Sequence, residues 1–115
     1  MQYMHVAEFQ ILPGAMGSFT SAVQRWERAA LSDPDGPHEH QVLVDTDMPS
    51  RVLVLTRFDG EEHAQRFATS GLPNRLMADV LSCCDATMSS RRYSVFYAAS
   101  REGHTSVFGV APPRQ

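Results

Sequence analysis

The chain has 115 residues, 43 % of them apolar, with a formal net charge of −3 and a sequence pI of about 5.9. That length fits one domain over residues 1–115 with 100–115 as a tail, and the apolar share excludes a disordered chain. Without a basic excess nucleic acid is not an expected partner, and with no apolar stretch near the ~20 residues of a span, neither is a membrane.

Residues 3–11 alternate as a strand, with Tyr3, His5, Ala7, Phe9 and Ile11 on one face and Met4, Val6, Glu8 and Gln10 on the other. Apolar side chains on both faces predict a central strand covered on two sides, broken by Pro13-Gly14. Met16, Phe19, Val23, Trp26 and Ala30 then recur at spacings of three and four, predicting a helix from Ala15 to Leu31. The turn formers Ser32–Pro37 end it. Two strands, His38–Thr46 and Arg51–Phe58, follow as a hairpin. Asp59 reads as the N-cap of a helix running to Thr69, with Ala64, Phe67 and Ala68 inward. Pro73 starts another helix whose inner face is Leu76, Met77, Val80 and Leu81. A strand at Arg92–Ala99 and a short one at Thr105–Val110 complete the order.

This β-α-β-β-α-β order is the ferredoxin-like, split βαβ pattern of the α+β class. Both helices lie on one face of an antiparallel sheet, which leaves the other face bare and apolar. Pairing of two such faces about a twofold axis covers them, so a homodimer is expected. The N-terminus Met1–His5 lacks the charged start and apolar run of a signal peptide. The adjacent pair Cys83-Cys84 reads as small buried residues, not a bridge or a zinc site. Both point to a cytoplasmic protein.

Three segments resemble a known family. Ile11-Leu12-Pro13-Gly14 with Phe19 beyond it is similar to the strand–Pro-Gly–helix entry of the antibiotic biosynthesis monooxygenase domains, which form dimeric α+β barrels. Arg57-Phe58-Asp59-Gly60-Glu61-Glu62 resembles that family's third-strand ending. Phe67-Ala68-Thr69-Ser70, with Leu72 and Leu76, resembles the helix-to-Ser step after it. The likeness covers residues 3–99. It implies a homodimer and, in one branch, oxidation of anthrone-like polyketides with oxygen and no cofactor. A second branch degrades haem with an Asn, a Trp and a His, whose positions here hold Ala7, Phe58 and Phe67. Those departures argue against haem and also remove polar handles from the oxidase reading.

Such an oxidase needs an apolar cleft, a base and donors for a developing oxyanion. The cleft is expected between sheet and helices, lined by Phe9, Phe19, Trp26, Phe58, Phe67 and Met77, each of which also reads as plain core. His5 is a base or a core histidine. His38 and His40 share a strand face at a spacing that can hold a metal, but no third ligand sits beside them. One of them, His40, is a candidate base, and an exposed strand start is the plain alternative. Tyr97, Tyr93 and Arg57 can bond a phenol or carbonyl oxygen, although Arg57 also suits a surface ion pair. His63 and His104 read as solvent-facing. No metal or cofactor is expected, and the expected ligand is a small aromatic molecule. No phosphate-binding glycine loop or nucleophile elbow is present. A cofactor-free monooxygenase is therefore set against a non-catalytic binding or regulatory homodimer, with a cyclase or isomerase as a third possibility.

Overall fold

The computed structural model describes residues 2–99, 101 and 105–107. Its elements run β1 (Tyr3–Ile11), α1 (Met16–Ser32), β2 (Glu39–Val44), β3 (Arg51–Phe58), α2 (Glu61–Thr69), α3 (Leu72–Leu81), β4 (Cys84–Ser94), β5 (Tyr97–Ala99) and β6 (Thr105–Val107). Four strands form one antiparallel sheet in the order β2-β3-β1-β4, the ferredoxin-like α+β arrangement. β5 and β6 pair separately as a two-stranded ribbon.

β1 is central because its alternate side chains, Ala7, Phe9 and Ile11, are all buried under the helices. Pro13 and Gly14 turn the chain, and Gly14 takes a φ of 76° that only glycine adopts without strain. The three- and four-residue spacing of Phe19, Val23, Trp26 and Ala30 then lays α1 across the sheet with Ala22 also buried.

Two helix details differ from the sequence pattern. The N-cap of α2 is Gly60, not Asp59, because the Asp59 carboxylate faces two histidines instead. Leu81 is exposed rather than inward. Glu61 and Glu62 do fall in the first turn of α2, where they complement the helix dipole.

The last strand of the sheet is a larger correction. It occupies Cys84–Ser94, not Arg92–Ala99, and Val95-Phe96 separates it from β5. β4 is an edge strand, held to β1 from Tyr3↔Ser94 to Ile11↔Cys84 with an irregularity between Phe9 and Ile11. Backbone pairing sets its course, which is why a polar run such as Asp85–Arg92 serves. Of the predicted tail strand Thr105–Val110, β6 covers Thr105–Val107, and residues 108–110 lie outside the described residues, as does His104.

The helix-covered layer holds two hydrophobic clusters. One centres on Phe9, Phe19, Val52 and Val80, and the other on Trp26, Ala30, Phe58 and Phe67. On the uncovered face Met4, Val6, Leu53 and Leu55 are half-buried and Leu43 is exposed. That face is not wholly apolar as the sequence suggests. Arg51 pairs with Glu8 at 3.1 Å and Arg57 with Glu39 at 3.1 Å.

Candidate functional site

Strand register brings one polar row under the helices. Across the sheet, His40 of β2 stands opposite Thr56 of β3, Thr56 opposite His5 of β1, and His5 opposite Arg92 of β4. The rows on either side are far more apolar, containing Tyr3 and Phe58 on one flank and Ala7, Val54 and Val42 on the other. Adjacent strands stand about 4.8 Å apart, so the row spans roughly 14 Å of backbone.

All four residues of that row line a cavity of about 280 Å³ between the sheet and α1, α2 and α3. Its walls include Trp26, Phe58, Phe67, Met77 and Val80. Trp26 packs edge-on to Phe67 at 5.9 Å between ring centres, and Phe58 lies 5.8 Å from Phe67. An apolar chamber with a few convergent polar groups is the usual make-up of a small-molecule site.

The two histidines of the row sit differently. His40 has a side chain only 1 % exposed, and its Nδ1 lies 2.8 Å from Glu27 Oε2 of α1. A carboxylate only accepts, so Nδ1 carries the proton and donates it. The expectation of an exposed strand start is wrong for His40, because α1 crosses directly above β2 there. His5 Nε2 shares a hydrogen bond with Ser90 Oγ at 2.5 Å. Burial, and then the positive charge of Arg92 beside it, hold the His5 pKa below its ordinary 6.5.

Of the residues singled out from sequence, His5, His40, Phe9, Trp26, Phe58, Phe67 and Met77 line the cavity. Phe19 does not. It is 1 % exposed and packs on Phe9 at 5.7 Å in the neighbouring cluster. Arg57 projects from the opposite face of the sheet, where its Nε donates to Glu39. The side chain of Tyr97 lies outside the described residues, while Tyr93 is exposed. Ala7, Phe58 and Phe67 all line the cavity, where they give its wall apolar side chains.

Tyr3, Thr56 and Arg92 also line the cavity and were missed. Tyr3 and Thr56 share strand parity with His5 and Phe58, a signal available from alternation alone. Arg92 was hidden by the misplaced last strand. Glu27 carried no signal, since its role appears only when α1 meets β2.

His63 is a second correction. It is 6 % exposed rather than solvent-facing. Its Nδ1 accepts the Asp59 backbone N–H at 3.0 Å, and its Nε2 donates to the carbonyls of Asp35 at 3.0 Å and Gly36 at 2.9 Å. Gly36 is pressed so closely on α1 that a Cβ there would stand 1.8 Å from the Ala30 carbonyl oxygen. His63 thus pins the α1–β2 loop to the start of α2. His38, Asp59 and His63 place one ligand atom each within 4.8 Å of one another. Both ring nitrogens of His63 are already engaged, so a metal bound there would displace the Asp59 amide bond.

The family model for antibiotic biosynthesis monooxygenase matches residues 2–73. The chain belongs to this family. No curated protein matches significantly. Similar solved structures include a conserved protein from Methanosarcina mazei, 16 % identical, with a TM-score of 0.73 over 81 % of this chain and 91 % of that one. Rv0793 from Mycobacterium tuberculosis is 12 % identical, with a TM-score of 0.73 over 87 % of this chain and 100 % of its own. SnoaB, a cofactor-independent oxygenase from Streptomyces nogalater, is 15 % identical, with a TM-score of 0.71 over 82 % of this chain and 92 % of its own. At these identities the likeness is one of fold. Among the described residues no helix is long and apolar enough to cross a membrane.

Proposed function

We propose that this protein oxidises a small aromatic or polyketide-like molecule with dioxygen in the cavity between sheet and helices, without a bound cofactor. One observation carries the reading: the polar row His40–Thr56–His5–Arg92 floors an otherwise apolar chamber of about 280 Å³. Membership of the family and the fold shared with SnoaB, itself a cofactor-independent oxygenase, support it. The overall reaction converts an activated ring CH₂ to a carbonyl. Dioxygen supplies the new oxygen, and its other atom leaves as water with the two hydrogens. The protein excludes bulk water, orients the ring, and stabilises the enolate that gives up electrons to dioxygen. Oxygen uptake with anthrone, in buffer free of metal and flavin, tests this. Turnover above the buffer rate is the expected result, and none across a panel of hydroxyaromatics would overturn it.

The protein also acts as a homodimer in this reading. The half-buried Met4, Val6, Leu53 and Leu55 on the uncovered sheet face, and the exposed Val42, Leu43 and Val44 along the β2 edge, favour cover by a second copy. Sedimentation at micromolar concentration should give a dimer.

A second reading is favoured by Ala7, Phe58 and Phe67 in the chamber wall. It is a dimer that binds an aromatic ligand and leaves it unchanged. Tight binding of anthrone with no loss of either anthrone or oxygen would select it.

A further inference from the structure

Two polar side-chain atoms, Trp26 Nε1 and His40 Nε2, are buried with no hydrogen-bond partner among the described residues. Leaving such a group unpaired is costly, and most buried polar atoms in folded proteins are paired. Both residues line the cavity, and their rings stand 5.0 Å apart at 42°. One atom is a donor. The other is an acceptor, because His40 Nδ1 carries its proton toward Glu27 Oε2 at 2.8 Å. A ligand that satisfies both offers an oxygen acceptor next to an acidic hydrogen.

We propose that Glu27 and His40 form a carboxylate–imidazole dyad whose Nε2 removes a proton from an aromatic carbon acid, while the Trp26 indole N–H holds the adjacent carbonyl oxygen. This rests on the reading that the cavity takes an aromatic ligand. The C–H proton passes to Nε2, and the electron pair it leaves spreads onto the carbonyl oxygen as an enolate. The indole hydrogen bond strengthens as that charge grows. Glu27 keeps the ring in one tautomer and steadies the imidazolium. Its side chain is 38 % exposed. The abstracted proton leaves from Nε2 itself, to water entering the cavity or to the reduced dioxygen, so the Nδ1–H toward Glu27 is kept. No electron transfer occurs in this step. The dioxygen that the full oxidation consumes enters afterwards. Trp26 and His40 are catalytic residues in this scheme, and Glu27 is a positioning residue.

The test is hydrogen–deuterium exchange at the anthrone CH₂, followed by NMR in deuterated buffer without oxygen. The wild-type protein should accelerate exchange over buffer. His40→Gln should lose about 100-fold or more of that acceleration, and Trp26→Phe about 100-fold. Glu27→Gln should lose part of the rate and shift its pH profile, and Glu27→Asp should restore both. Because Glu27 is partly exposed, that pair remains informative if His40→Gln fails to fold. Wild-type exchange no faster than buffer overturns the dyad. So does exchange that is unchanged in folded His40→Gln or in Glu27→Gln. Exchange without oxygen uptake supports the dyad and overturns the oxidation. Oxygen uptake with variant-insensitive exchange overturns the dyad and leaves the oxidation standing.

Discussion

The layer between sheet and helices is packed solid at one end and hollow at the other. At the solid end Ile11, Phe19, Ala22 and Val52 are buried and none of them lines the cavity, and α1 rests directly on β1 and β3. At the hollow end Trp26, Phe58 and Phe67 are also buried, yet they wall a cavity. The difference lies in the row beneath. Where the sheet offers Ile11 and Val52, apolar partners close the gap. Where it offers His40, Thr56, His5 and Arg92, large polar groups and small neighbours such as Ala64 and Ala68 leave space. The same helices therefore stabilise the fold at one end and enclose a site at the other.

The largest expected effect sharpens this contrast. Phe19→Ala should cost about 3–5 kcal/mol, read by urea unfolding, because its ring is packed on all sides. Phe67→Ala should cost distinctly less, because part of its ring already borders empty space. Equal losses would mean that the hollow end collapses as readily as the solid one, and would break the comparison.

His63→Ala should cost about 2–3 kcal/mol. It leaves the Asp59 amide and two loop carbonyls unpaired. Anthrone binding, followed by quenching of Trp26 fluorescence, should weaken less than stability does, since His63 stands outside the cavity lining.

Ala64→Leu should place its added carbons in the cavity. Stability should change by less than about 1.5 kcal/mol, while binding of anthrone should fall about 10-fold or more. Calorimetric titration checks this. A variant that destabilises strongly and binds normally would show that no space exists beside Ala64.

The smallest effect concerns His5. Its folded-state pKa lies below the ordinary 6.5, through burial and then Arg92. As pH falls through 6.5 the unfolded chain takes up the proton first, so folding stability declines. The decline ends once the folded form is protonated too. Above 6.5 the group contributes no slope. His5→Gln should remove this part of the acid sensitivity in unfolding curves taken between about pH 7.5 and 5.

The sequence carried the fold well where burial is periodic. The bounds of β1 follow from alternation, those of β3 from the apolar run Val52–Leu55, and the inward face of α1 from its three- and four-residue spacing. It failed at β4. Cys84–Ser94 is polar and small, without an alternating apolar face, and the more apolar Val95–Ala99 drew the prediction downstream. It failed again at His40 and His63, which sit next to turn formers and read as exposed.

The sequence by itself determined the element order, the central place of β1, and the aromatic residues available to a cleft. Those properties depend on local periodicity and on how much apolar surface each segment must bury. Only the tertiary structure decided which side chains meet. Glu27 and His40 lie 13 positions apart on a helix and a strand with unrelated periods, and they pair because α1 crosses the β2 edge. His40, Thr56, His5 and Arg92 come from four strands, and register alone aligns them. Register is set by backbone pairing across the whole sheet, so the site is a product of the fold rather than of any one segment.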